Sequence, residues 1–222
     1  MKTCERCGTN NVIKSNTEFY NLYPANNTPR TQDRRKCHRI VMSDLKPNTD
    51  VFYFASQSGS VKDRDSAYGQ LSNSGVTRTD SQGNAIFYLQ CAGVYRTPEG
   101  RIYPRHFHWV YWTEKGWGRR IYTKKWFCPV SKAYVRNAIR TGSHLIIDAL
   151  PADYYNKRHI SGAINIPHNK PIDESLLGKD KTRPIIIYCW SPECSAAEHL
   201  NSRLEKLGWL NTYHYEEGIS NW

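Results

Sequence analysis

The sequence lacks any apolar run near the roughly 18–20 residues that a membrane-crossing helix requires, so no helical span is expected. Its start, MKTCERCGTN, has no apolar stretch of the kind that drives secretion. It also lacks internal repeats and low-complexity arrays. These absences set the expectation of a cytoplasmic protein without membrane attachment. An even cysteine framework is missing too. There are seven cysteines, an odd number, and two pairs have catalytic or metal-binding spacing, which favours reduced thiols over a disulfide scaffold. Excess negative charge is absent everywhere, and positive charge is concentrated in one part. Residues 1–130 carry 20 Lys and Arg against 10 Asp and Glu, whereas residues 131–222 carry 11 against 10. Such asymmetry fits either a polyanionic partner for the first part or plain solubility.

What is present suits two small soluble units in 222 residues, with 39% hydrophobic and 23% charged positions. The first 36 residues are polar and Asn-rich. From about residue 50, segments rich in aromatic and β-branched residues follow one another. They read VFYFAS (51–56), GVTRTD (75–80), AIFYLQCAGVY (85–95), RIYPRHFHWVYW (101–112) and GRRIYTKKWF (118–127). TPEG (97–100) and TDSQGNA (79–85) are turn sequences between them. After residue 130 strands alternate with helices. SKAYVRNAIRTG (131–142) has a Ser cap and a Gly stop, HLIIDAL is a strand, PADYYNKR a short helix, and GAINIP a short strand. PIIIYC is an apolar strand, SAAEHLNSRLEKLG an amphipathic helix, and NTYHY the last strand. That alternation predicts a parallel sheet covered on both faces. The expected organisation is a segment 1–40, a β-rich domain 41–130 and an α/β domain 131–222.

Within IIIYCWSPECSAAEHL (185–200), Cys189 stands at the end of a buried strand and just before a helix. Ligands of α/β sheets bind beyond the carboxyl ends of the strands. A helix N-terminus and converging loop amides favour a thiolate there, which predicts a nucleophile. The bland alternative is an inert strand-end cysteine.

Residues 131–222 resemble a single rhodanese-like domain. LIIDALPADYYNKRHISGAINIP (145–167) is similar to the family's opening strand with its Asp, the acidic-aromatic helix, and the HI-x-GA-x-N-I-P segment. IIIYCWSPECSAAEHLNSRLEKLGW is similar to its cysteine strand, loop and following helix, and NTYHYEEGISNW to its closing strand. The resemblance implies a sulfurtransferase in which Cys189 takes a sulfane sulfur from a donor as a persulfide and passes it to a thiol acceptor. No cofactor is needed for that chemistry. Trp190, Ser191, Pro192, Glu193, Cys194 and Ser195 are then the substrate-binding loop, whose six-residue count from Cys189 to Cys194 goes with sulfur transfer. Two positions depart from the family: Cys194 and Leu150 stand where many members have Arg. Without those cations, and with Glu193 adjacent, a small dianion such as thiosulfate is a poor donor. Cys194 is either a neutral replacement or a resolving thiol.

CERCG (4–8) has the C-x-x-C-G form of a metal-clipping turn, and RRKCHR supplies Cys37 and His38 downstream. The stretch weakly resembles phage-type zinc knuckles, which implies Cys4, Cys7, Cys37 and His38 as ligands of a structural zinc. Position 40, where a fourth Cys is expected, is Ile. In the β-rich part, GVTRTDSQGNAIF weakly resembles a strand–turn–strand of sandwich domains. If TPEG closes a long hairpin, Cys91 faces His106 and Leu89 faces His108, grouping Cys91, His106 and His108 as a second candidate metal cluster. The alternation of basic and aromatic residues over 101–127 suits either single-stranded nucleic acid or the core of a small β domain. Two functions follow: a sulfurtransferase or persulfide carrier acting through Cys189, or a catalytically weak rhodanese-fold module whose basic, aromatic half docks a protein or nucleic acid.

Overall fold

A computed structural model describes residues 20–57 and 62–222. The chain divides into two units, Met1–Trp126 and Phe127–Trp222. No helix of the described residues is long and apolar enough to cross a membrane.

The first unit is mostly β. In chain order it contains β1 (His38–Met42), β2 (Asp50–Ala55), β3 (Lys62–Asp63), the short helix α1 (Arg64–Tyr68), β4 (Ser74–Arg78), β5 (Ala85–Leu89), β6 (Tyr95–Arg96), β7 (Ile102–Tyr103), β8 (His106–Thr113), β9 (Gly116–Trp117) and β10 (Tyr122–Lys125). Strand β2 forms the middle of it. Every residue of DVFYFA is buried, because both faces of the β10-β8-β2-β4 sheet are covered. On one face Val51, Tyr53 and Ala55 pack with Phe107 and Trp109 of β8 and with Phe87 and Leu89 of β5. On the other, Phe52 and Phe54 pack with Tyr68, Tyr95, Val110 and Trp117. Each fully buried large apolar side chain contributes roughly 1.5–3 kcal/mol, so these two layers are the unit's main source of stability. The chain passes between sheets through the expected turn at Asp80. Its carboxylate accepts the backbone N–H groups of Gln82 and Asn84 at 2.9 and 2.7 Å, the Asx geometry that makes Asp a turn former.

One expectation fails here. TPEG does close a hairpin, with Tyr95 opposite Tyr103 and Arg96 opposite Ile102, but it ends after those two pairs. Strand β5 pairs instead with β1, placing Leu89 opposite His38, while β8 lies between β2 and β10. Strand β1 therefore brings residues from His38 onward into the β unit rather than leaving them in a separate tail. Of the aromatics in HFHWVYW, Phe107 and Trp109 are buried in the core and Tyr111 and Trp112 are half-buried, while Trp117 farther on is buried.

The second unit is α/β. It contains α2 (Lys132–Thr141), β11 (Leu145–Asp148), α3 (Ala152–Lys157), β12 (Ile164–Asn165), β13 (Ile185–Tyr188), α4 (Ala196–Lys206) and β14 (Thr212–Tyr215), with 3-10 turns at Glu174–Leu177 and Ile219–Asn221. Helix α2 begins where Ser131 accepts the Tyr134 N–H and stops at Gly142 in the left-handed conformation, as its sequence dictates. The sheet is parallel throughout, in the order β12-β11-β13-β14. Strand β13 is internal, and Ile185 through Tyr188 are fully buried. A continuous apolar run is what such a position requires. It delivers Cys189 to the carboxyl edge of the sheet.

Candidate active site

Cys189 follows β13 directly and is 1% exposed. The loop from Trp190 to Ser195 then turns into α4. Its inner turn is closed by the Cys194 N–H donating to the Ser191 carbonyl at 3.0 Å, and the Ser191 hydroxyl donates to Glu193 Oε2 at 2.7 Å. That contact holds the exposed Glu193 carboxyl below its ordinary range. Ser195 occupies the cap position of α4 without a side-chain cap bond. Pro192 is exposed at the tip of the loop. Trp190 projects outward, 46% exposed, and meets the 53% exposed Tyr154 edge-on at 6.3 Å. Together they form an aromatic lip beside the thiol.

The sulfur itself is oriented inward. Cys189 Sγ–H donates to the Cys194 carbonyl at 2.9 Å, and the Cys194 side chain shares a hydrogen bond with it. Burial is the largest influence and pushes the thiol up, to about 12, with the Cys194 hydrogen bond adding to it. The Ala197 N–H at the start of α4 acts in the opposite sense, and the Glu198 charge raises the value further. The expected activation by the helix terminus is therefore present as one amide but outweighed by desolvation.

Two features neighbour Cys189, and the second of them holds the loop. Asp148, buried at the end of β11, accepts the Leu150 N–H at 2.8 Å, and Asn165 Nδ2 donates to the carbonyls of Asp148 and Leu150. Burial raises the Asp148 carboxyl. The Leu150 side chain is buried here rather than presenting charge to the loop.

The second feature escaped sequence reasoning. The Ile219 N–H donates to the Cys189 carbonyl and the Ser220 N–H to the Trp190 carbonyl, both at 2.9 Å. This approach is close because position 218 is glycine. A Cβ there would lie 2.4 Å from the Trp190 oxygen and 2.8 Å from the Cys189 oxygen, and the residue has φ of +67°. The lone Gly in EEGISNW, just past the last strand, was the available signal.

The metal expectations fare differently. Cys4 and Cys7 lie outside the described residues. Cys37 is free and half-buried, while the His38 ring packs edge-on against Trp126 at 5.5 Å. Cys37 is extended and His38 begins β1. Consecutive residues of an extended chain point to opposite faces. Among the described residues no group of three or more His, Cys, Asp or Glu could hold a metal. The Cys91, His106 and His108 cluster does not form, because the long hairpin it required is absent. Cys91 is disulfide-bonded, as is Cys128, which corrects the expectation of reduced thiols throughout. His106 and His108 join a buried hydrogen-bond network instead. The Tyr68 hydroxyl lies 3.0 Å from His106 Nε2 and 2.8 Å from His108 Nε2, and His106 Nδ1 bonds the Pro104 carbonyl at 2.6 Å.

The model of the Rhodanese-like domain family matches residues 131–222. No curated protein matches the chain. Among solved structures, a protein from Bacillus halodurans is 28% identical over 43% of this chain and 71% of that one, with a TM-score of 0.40. An uncharacterized protein from Saccharomyces cerevisiae is 19% identical over 43% of this chain and 90% of its own, with a TM-score of 0.37. The human single-domain sulfurtransferase TSTD1 is 16% identical over 42% of this chain and 93% of its own, with a TM-score of 0.35.

Proposed function

With residues 131–222 a rhodanese-like domain, we propose that the protein is a sulfurtransferase or persulfide carrier whose sulfur-accepting atom is Cys189 Sγ. The observation that carries this reading is the position of that thiol, at the carboxyl end of the central strand and the head of a six-residue loop that runs into α4. In the first step Cys189 loses its proton and its sulfur attacks the outer sulfur of a donor persulfide, R–S–SH. The donor S–S bond breaks, its electron pair leaves on R–S⁻, and that thiolate takes a proton. The products are R–SH and Cys189–S–SH. In the second step an acceptor thiolate attacks the terminal sulfur, giving an acceptor persulfide and restoring Cys189–SH. Both steps are redox-neutral and need no cofactor.

The residues present define what the site favours. The Ala197 N–H is the group able to stabilise a thiolate or persulfide anion, as a helix-terminal amide does. A loop without Arg or Lys, carrying the Glu193 carboxylate, suits an organic persulfide better than a small dianion, which would need fixed cations. The exposed Trp190 and Tyr154 offer the apolar part of a donor or acceptor a surface beside the sulfur. A second reading draws on one observation, the upward shift of the Cys189 thiol by burial. On that reading the fold serves as a binding module with little turnover. Intact-mass analysis separates the two. A sulfur adduct that forms on the full-length protein, is lost in Cys189→Ser and is transferred to an added thiol supports the enzyme. An adduct that never forms supports the module.

A further inference from the structure

Apart from the thiol, the feature of the β unit with most chemistry is a cleft of about 770 Å³. It lies against the outer face of the β1–β5 pair and the edge of β4, and the segment 29–34 forms its other wall. Arg30 extends β4 through an antiparallel bridge to Val76, so the wall is anchored by backbone hydrogen bonds of 3.0 and 2.8 Å. Alternation along β1 and β5 sends Ile40, Phe87 and Leu89 into the core and turns Arg39, Val41, Ile86 and Tyr88 outward. Arg39 and Tyr88 are direct cross-strand partners, as are Val41 and Ile86.

Charge in the cleft is one-sided. Four arginines line it (Arg30, Arg34, Arg39 and Arg78) against one carboxylate, Asp80. Arg78 is bonded to Asp50 at 2.9 Å, and Asp80 is committed to its own turn. Arg30, Arg34 and Arg39 form no ion pair among the described residues, and all three are exposed. The aromatic content is arranged as well. The Arg34 guanidinium lies over the Tyr88 ring, 4.7 Å from its centroid. Ring and guanidinium together make a cationic aromatic platform, with Val41, 61% exposed, on the same face.

We propose that this cleft binds a single-stranded nucleic-acid segment, with an unstacked base on the Tyr88–Arg34 platform and phosphates on Arg30 and Arg39. Cations outside any ion pair answer the phosphates, and an aromatic ring beside them answers the base, which is how sequence-tolerant single-strand sites are built. An acidic peptide would use the arginines and leave the platform without a role. A duplex keeps its bases stacked and would also leave it unused. The cleft lies outside the basic-aromatic stretch 101–127 in which sequence reading sought such a site. It does not depend on the sulfur reading.

The test uses full-length protein and a fluorescein-labelled 12-nucleotide oligouridine, read by anisotropy across a salt series. Affinity is expected to fall steeply with salt. Arg34→Ala and Arg39→Ala should each weaken binding roughly 3-fold or more and lower the salt slope by about one. Tyr88→Ala should weaken it roughly 5-fold or more with the slope unchanged, and Tyr88→Phe should bind as wild type. Lys115→Ala, the same charge change on the exposed β8–β9 turn, should leave affinity within about twofold. Thermal melts by circular dichroism check that each variant is folded, and Arg39→Lys provides a folded variant that retains charge should Arg39→Ala melt early. The proposal is overturned by any of three results: no binding at low salt, equal affinity for a matched duplex, or equal competition by oligoglutamate with Tyr88→Ala unaffected.

Discussion

Replacing Gly218 by alanine puts the loop's anchorage to a quantitative test. At φ of +67° and ψ of −172°, residue 218 occupies a region essentially reserved for glycine, where an L side chain costs about 1–3 kcal/mol. The added Cβ would also sit 2.4 Å from the Trp190 carbonyl oxygen and 2.8 Å from that of Cys189. Relief requires the 3-10 turn and the loop to part, which sacrifices the hydrogen bonds from Ile219 and Ser220. Each contributes about 0.5–1.5 kcal/mol net. Gly178 provides the control within the same unit. Its backbone is nearly the same, φ +83° and ψ −165°, but a Cβ there meets nothing within 4 Å. Both variants bear the conformational strain, and only Gly218→Ala bears the clash. Gly218→Ala should therefore destabilise the unit by about 1–3 kcal/mol more than Gly178→Ala. With urea m-values of about 1–3 kcal/mol/M, that is on the order of 1 M in midpoint. Hydrogen exchange in urea, read on peptides from 185–222, measures it, and alkylation of Cys189 should accelerate only in the Gly218 variant. Equal midpoints and equal alkylation in the two variants would refute the claim that the C-terminal turn pins the cysteine loop.

Two further outcomes follow from buried groups. His106 is held neutral by burial, down to about 4, and His108 is held well below its ordinary range by burial and by the neighbouring His106. Since the unfolded rings take up protons near pH 6.5, their stabilising effect is complete above that pH and is lost as pH falls towards 4. Each excluded proton accounts for about 1.4 kcal/mol per pH unit within that window. Thermal midpoints of the β unit should decline from pH 6.5 to 4, and less steeply in His108→Gln; a flat profile would contradict the assignment. The second outcome concerns Cys194, whose side chain shares a hydrogen bond with Cys189. Peroxide should convert Cys189 to the sulfenic acid with loss of water, and Cys194 should then displace a second water to form a 189–194 disulfide. Peptide mapping should find that cross-link in wild type and Cys189 sulfinic acid in Cys194→Ala, while identical products in both would make Cys194 a bystander.

The α/β unit was legible because its signals are local. Ser131 and Gly142 bracket α2, the PIIIY run marks an internal parallel strand, and a cysteine at its end falls at the sheet's carboxyl edge whatever the details. The direction of the sulfur was not legible. It depends on where the Cys194 carbonyl lies, a consequence of loop closure rather than residue type. Gly218 was hidden for a similar reason, since its partner carbonyls lie far from it in sequence. In the β unit the strands themselves were recognisable, but their partners were not. A turn such as TPEG specifies the first pairs of a hairpin, whereas the strands beyond it pair elsewhere, β5 with β1 and β8 with β2. The same non-locality concealed the cleft. Arg30 and Arg34, Arg39, Arg78 and Tyr88 come from four separated segments that only the sheet pairing brings together.

Sulfur loading at Cys189 is read by intact-mass spectrometry of the full-length protein after exposure to a small organic persulfide. The wild-type protein should gain about 32 Da, one sulfur atom, and lose it on addition of a thiol acceptor. Loading should quicken as pH rises above neutral, because burial holds the thiol protonated and only its anion attacks. Cys189→Ser should remain at its starting mass. A wild-type protein that never gains sulfur, or a Cys189→Ser variant that gains it equally, would contradict the assignment of Cys189 as the sulfur-accepting nucleophile.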